Sequence, residues 1–322
     1  MNEQASKKYP LPLVINAPAS GDDLLQWLEQ NAEAASGKLP LHGAILFRGF
    51  AHMSAAEFEQ AAGKLSDVTF NNVEESSPRS KISGNVFTST DYRSDENIFL
   101  HNENSYMQSF PNKLFFYCDQ PSPVGGQTPL ADCRRIYQRL PADVVSRFLE
   151  KKWMYVRNYG TGIGMTWQEA FKTTRKQDVE DYCHAAGIAV EWMSDEHLRT
   201  RQIREAALKH PVTGERSWFN HITFFHYSTL PESVREALLS ICGEEGLPNN
   251  TYYGDGSRIE DDVLTLLRQA YLEETVDFSW QKGDLVLLDN LITAHSRRPF
   301  EGERRIMFLQ ADPIQRNDLV IG

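Results

Sequence analysis

The sequence is short of positive charge. Against 44 acidic residues it carries 33 lysines and arginines, a net charge of −11. Phosphate binding needs clustered positive charge, so nucleic acid is not the expected partner. Cysteine is also scarce: Cys118, Cys133, Cys183 and Cys242 are widely spaced, with no CxxC pair. That pattern excludes a zinc ribbon and a disulfide frame, and it suits free thiols in a reducing cytoplasm. No apolar run reaches the length of a membrane span, and the opening MNEQASKKYPLPLV has no apolar core of signal-peptide length. The expectation is a soluble, cytoplasmic protein. Internal repeats, low-complexity tracts and evident linkers are missing too, so a single domain over residues 1–322 is expected. GTGIG at 160–164 lacks the strand-to-helix frame of a dinucleotide site. There is no HExxH helix of the kind a zinc hydrolase would use.

What is present is an ordinary globular composition, 41% hydrophobic and 24% charged, with enough apolar material for a sizeable core. Near the N-terminus, GDDLLQWLEQNAEAA (21–35) has leucines at helical spacing, GAILFRGF (43–50) reads as a buried strand, and Ser54 with Glu57 forms a capping box for a second helix. From about residue 98, short aromatic or β-branched runs bounded by Gly, Pro, Asn or Asp follow one another: NKLFFYCDQP, KKWMYVRNYG, IAVEW, RSWFN, VDFSW, GDLVLLDN and RRIMFLQAD. Helical patterns at 177–187, 231–246 and 260–274 interrupt them. The fold class expected is α+β and mostly β, a jelly-roll or cupin-like double-stranded core with flanking and inserted helices. Residues from about 158 to 280 form the insert, in which the glycine-rich 158–171 segment is a candidate lid. LRTRQIR (198–204) is a local basic stretch suited to docking an acidic protein.

FLHNENSYMQ (99–108) sets His101 and Glu103 two positions apart. On a strand or extended loop the two side chains share a face, with Cα atoms roughly 6.5 Å apart, and can converge on one ion. On a helix they would diverge. Alone, the pair fits a solvated edge strand as well as a metal site. Downstream, DLVLL reads as a strand buried on both faces, DN breaks it, and His295 follows where the chain re-enters the sheet. Two histidines and a carboxylate on rigid strands are the ligand set of a non-haem Fe(II) facial triad. GGQT (125–128) supplies a tight bend and the Thr128 hydroxyl, and ERRI (303–306) brings two arginines to the start of a strand. Only one of Arg304 and Arg305 can point inward, and a buried arginine needs an anion, which a dicarboxylate would supply.

In that order, HNENSY, LFFYCDQPSPVGGQTPLADCR, WFNH, YYGDGS and DN…AHSRRPFEGERRI resemble the Fe(II)/2-oxoglutarate-dependent dioxygenases of the taurine dioxygenase (TauD/TfdA) superfamily, in its SyrP-like branch. The resemblance runs from roughly residue 40 to the C-terminus. It implies that His101, Glu103 and His295 ligate Fe(II). It implies that Arg305 holds the distal carboxylate of 2-oxoglutarate, standing two before Met307, with Thr128 on the same co-substrate and O₂ as the other. The implied activity is hydroxylation of an unactivated C–H in an amino acid or related small molecule, free or tethered to an acidic carrier protein, in natural-product metabolism. Glu103 argues against a halogenase, which leaves that coordination place for chloride. The branch often has Gln and Gly where His221 and Ser296 stand, which bears on the substrate pocket. Candidate substrate residues are Asn104, Tyr106, Asn220 and Arg297, each with a structural alternative: turn, core packing or ion pair. Rival readings are a desaturase or cyclase on the same iron–oxygen chemistry, a non-catalytic cupin-like binder, and a zinc hydrolase. A homo-oligomer stays open.

Overall fold

A computed structural model describes residues 9–70, 74 and 79–321. The first eight residues, part of the stretch read above for a leader, lie outside the described residues. At its centre is the apolar run of Leu285–Asp289, buried along its whole length between Ala44–Arg48 and Ser109–Gln120. These strands belong to a seven-stranded sheet ordered Leu13–Asn16, Ala44–Arg48, Leu285–Asp289, Ser109–Gln120, Arg305–Gln315, Val86–Thr88, Lys81–Ser83. Its first pair is parallel and the remainder antiparallel.

Alternation along the strands divides the sheet's two faces. Leu46, Leu114, Phe116, Leu288, Ile306 and Phe308 look inward and meet Leu130 of a second sheet. Ile45, Phe47, Phe115, Tyr117, Leu287 and Met307 look outward, onto Leu24, Leu28, Phe58 and Ala61 of two covering helices. Those helices, Leu24–Ser36 and Ala55–Leu65, start where their caps dictate. Asp23 accepts from the amides of Leu25 and Gln26, and Ser54 and Glu57 form the expected capping box. The second sheet, ordered Thr275–Val276, Leu130–Asp132, Thr293–Arg297, Ile98–His101, closes the other side. Two such sheets packed face to face, with helices outside, are the expected jelly-roll core.

The chain leaves this core at the helix Cys133–Arg139 and returns at Thr275–Val276. Between them lies a further antiparallel sheet ordered Ile188–Trp192, Leu198–Arg204, Trp153–Tyr159, Asn249–Tyr253. Because Trp153–Tyr159 is paired on both edges, the excursion cannot begin at residue 158 and starts upstream of it. LRTRQIR turns out to be an interior strand of this sheet. Leu198, Thr200, Gln202 and Arg204 are buried, Arg201 pairs with Glu191 at 2.8 Å, and Arg199 donates to Asn158. These pairings offset part of the positive charge that the stretch shows in the sequence. The glycine-rich 158–171 segment ends in the short helix Trp167–Phe171, whose aromatics are buried with Tyr159 and Val179. Gly164 and Met165 line a cleft that shares Tyr92 with the central cavity. No described helix is long and apolar enough to cross a membrane.

Candidate metal centre and active site

Strand pairing, rather than local spacing alone, builds the centre. Ile98–His101 runs antiparallel to Thr293–Arg297 with His101 directly opposite His295, and the two rings lie 4.4 Å apart between centroids. The first strand ends at His101. Residues 102–107 form turns closed by Ser105 N to Asn102 O at 3.3 Å and Met107 N to Asn104 O at 2.9 Å. Asn104 takes φ +54°, a left-handed conformation that Asn tolerates better than most residues. Glu103 therefore reaches the histidines from a turn, not from the shared strand face that the HxE spacing suggested. Nitrogen and carboxylate donor atoms of His101, Glu103 and His295 all lie within 4.8 Å of one another, and Glu103 Oε2 is 3.8 Å from His295 Nε2.

These residues fit a divalent metal. The carbonyl of Phe99 lies 2.8 Å from His101 Nδ1, so Nδ1 must donate and the Nε2 lone pair is left for a ligand. Burial lowers the pKa of both His101 and His295, strongly for His295, which keeps both rings in the neutral form that metal binding requires. Two imidazoles and one carboxylate at the mouth of a cavity match the non-haem Fe(II) donor set.

Beside the triad, the structure corrects the expected arginine. Arg304 points into the cavity and Arg305 points away from it. Arg305, with its side chain 55% exposed, pairs with Asp119 and Glu303 at the surface. The inward face of its strand carries Ile306 and Phe308, so the residue two before Ile306 looks inward. Counting back from Met307 lands on the outer, helix-covered face. Arg304 Nε donates to Gly126 O at 2.9 Å and Nη2 lies 3.4 Å from Thr128 Oγ1. No carboxylate meets Arg304 among the described residues, and burial brings its pKa down to about 10. GGQT supports it physically: Gly126 has φ +73°, and a Cβ there would stand 3.0 Å from Arg304 Cδ. Thr128 Oγ1 also accepts from Trp280 Nε1 at 3.1 Å. With both lone pairs engaged, its O–H is left to donate.

A family model for taurine catabolism dioxygenase TauD, TfdA family matches residues 7–310. The chain belongs to this family. It is an enzyme, a 2-oxoglutarate-dependent non-haem iron dioxygenase. Dapdiamide synthesis protein DdaC of Enterobacter agglomerans is 39% identical over 272 residues, covering 84% of this chain and 83% of DdaC. A clavaminate synthase-like protein of Arabidopsis thaliana is 29% identical over 318 residues, 92% of each chain. Among solved structures, PvcB, an Fe, alpha-ketoglutarate dependent oxygenase from an isonitrile synthetic pathway, has the same fold. It matches with a TM-score of 0.57 at 15% identity, over 100% of this chain and 94% of PvcB.

The candidate substrate residues of this dioxygenase divide. Arg297 lines the cavity, but its Nη atoms donate to the backbone carbonyls of Tyr92, Arg93 and Glu96. It ties the 92–96 loop to the ligand strand. Asn104, Tyr106 and Asn220 do not line the cavity. The Tyr106 hydroxyl donates to Glu74 O, and Asn220 bridges Ala206 O and Ile222 N. Asn104 holds the turn described above. His221 is buried and lines the cavity, with Nδ1 against Ser105 Oγ. Arg79 was missed altogether; its Nη2 donates to Glu103 Oε2 at 2.9 Å. It lies in a polar, Ser- and Pro-containing run without periodicity, so nothing in the sequence marks it.

Proposed function

We propose that this dioxygenase hydroxylates an unactivated C–H bond of an amino acid or related small molecule in specialised metabolism. In this reading His101, Glu103 and His295 hold the iron. Arg304 holds the distal carboxylate of 2-oxoglutarate, and the Thr128 O–H donates to the same co-substrate. Bound iron, with 2-oxoglutarate and O₂, supplies the oxidising chemistry. The chain positions and shields. Phe99 O fixes the tautomer of His101, and the 102–107 turn aims Glu103. Phe116 and Phe224 give an apolar patch to a cavity lined mainly by polar and charged side chains. Glu103 occupies the place a halogenase leaves open, so an oxygenated product is expected and not a chlorinated one.

The observation that carries this reading is the pairing of the His₂Glu cluster with a part-buried arginine, Arg304, that meets no carboxylate among the described residues, in one cavity. DdaC, named for dapdiamide synthesis, and PvcB, from an isonitrile pathway, support the metabolic setting. The test is aerobic turnover of amino acids, free and as carrier-protein thioesters, under ¹⁸O₂ with succinate measured in parallel. Labelled hydroxyl formed together with succinate supports the proposal. Succinate coupled to an unlabelled or dehydrogenated product would overturn hydroxylation.

A further inference from the structure

The central cavity holds more positive charge than the proposed reaction takes up. Its described lining has three guanidinium groups, Arg79, Arg297 and Arg304, against one carboxylate, Glu103. Arg304 is assigned above to the co-substrate. Arg297 is capped by three backbone carbonyls. Arg79 remains.

Its guanidinium lies 4.2 Å from the centroid of the Phe308 ring, a contact that fixes the plane of the group without neutralising it. Nη2 meets Glu103 Oε2 at 2.9 Å, whereas Nε is buried with no partner. Among the described residues, Glu103 is the one acceptor that Arg79 has. Yet Oε2 of Glu103 is also the oxygen facing His295 Nε2, at 3.8 Å, on the side of the metal ligands. A carboxylate serving a dication has its charge neutralised there. Arg79 is then a largely buried cation without a counter-ion among the described residues, with donors to spare in the cavity. Such an unpaired charge is costly, and the cost is relieved when an anion arrives.

We infer that Arg79 is a specificity-determining residue that grips a free carboxylate on the substrate. The inference rests on the function proposed above and narrows it. The substrate enters as a carboxylate anion, and a molecule whose only carboxyl is masked as an amide or thioester lacks the group that Arg79 recognises. The planar fork of arginine suits a carboxylate, which can accept two N–H bonds at once.

Acetate is the smallest probe. The protein is loaded anaerobically with Fe(II) and 2-oxoglutarate, and the visible charge-transfer band reports loading. Acetate and acetamide are then titrated by calorimetry into wild type, Arg79→Met and Arg79→Lys. Acetate is expected to bind wild type while acetamide does not. Its affinity should fall about tenfold or more in Arg79→Met and by less in Arg79→Lys, which keeps the charge but not the fork. The band should persist in both variants. Acetate that fails to bind wild type, acetamide that binds equally, or unchanged acetate affinity in Arg79→Met overturns the inference. Loss of the band in Arg79→Met alone also overturns it, because Arg79 then serves the metal or co-substrate. If Arg79→Met does not fold, the acetate–acetamide comparison on wild type still decides. A wild type with no band at all contradicts the proposed function itself, a different failure.

Discussion

Asn290 holds Glu103 by both of its backbone groups. Oδ1 of Asn290 accepts from Glu103 N at 2.8 Å, and Nδ2 donates to Glu103 O at 2.9 Å and to Pro111 O at 2.7 Å. The backbone carbonyl of Asn290 in turn accepts from Asn102 Nδ2 at 2.7 Å. The ligand-bearing turn has no strand partner of its own, and this buried amide replaces the missing ladder. Asn290→Ala should lower stability by about 2–3 kcal/mol, since it leaves buried backbone groups unpaired. It should also weaken Fe(II) binding by roughly 10–100-fold, as losing support behind a ligand does. Chemical denaturation and anaerobic Fe(II) titration check both. Wild-type metal affinity in a folded variant would contradict the role.

Arg304 and Arg305 are adjacent but predicted to behave oppositely. Arg304→Met should weaken 2-oxoglutarate binding by roughly 30–100-fold, the loss of a charge-assisted pair with a carboxylate. Arg305→Met breaks only surface pairs with Asp119 and Glu303, each worth about 0–1 kcal/mol, and should leave the co-substrate KM within about twofold. Co-substrate titrations of the two variants side by side are sufficient, and the reverse pattern would restore Arg305.

Gly126 is predicted to be intolerant of a side chain. Gly126→Ala forces a left-handed residue, costing roughly 1–2 kcal/mol, and places a Cβ 3.0 Å from Arg304 Cδ and 3.1 Å from Ser122 Cβ. Arg304 has to give way, so 2-oxoglutarate affinity should fall together with stability. A variant that loses stability alone would separate the bend from the arginine.

Acid should destabilise the fold partly through His226. Burial, with the positive charge of Arg268 as the lesser cause, lowers its pKa to about 4 from 6.5. Its Nδ1 is an acceptor for Ser228 N at 3.2 Å. Between those two values the unfolded chain binds a proton that the folded one refuses, so stability is present above pH 6.5 and is lost as pH falls towards 4. Urea unfolding at pH 7 and pH 4.5 should show a drop about 2 kcal/mol smaller in His226→Gln than in wild type. Equal drops would rule His226 out.

Much of the fold was legible because its strands and caps follow local rules, and the sequence named the three residues that strand pairing and the 102–107 turn bring together. The DLVLL run had to be buried on both faces, and HNE and AHS lay in the order that the family motifs require. What failed was side-chain direction. Arg305 was chosen by counting from Met307, but whether a strand residue faces the second sheet or the covering helices depends on packing that one strand does not reveal. LRTRQIR failed for the opposite reason. Its inward positions include Thr200, Gln202 and Arg204 while Ile203 is 47% exposed, so the usual apolar-in, polar-out alternation is inverted. Arg79 comes from a segment with no periodic signal, and only the folded chain brings it to Glu103.

The most direct measurement is anaerobic addition of 2-oxoglutarate to the Fe(II)-reconstituted protein, followed by visible absorption. The account predicts a weak metal-to-ligand charge-transfer band in wild type, a band that needs higher 2-oxoglutarate in Arg304→Met, and no band in a His295→Ala variant that remains folded. A wild-type protein that binds Fe(II) but shows no band at saturating 2-oxoglutarate would contradict it.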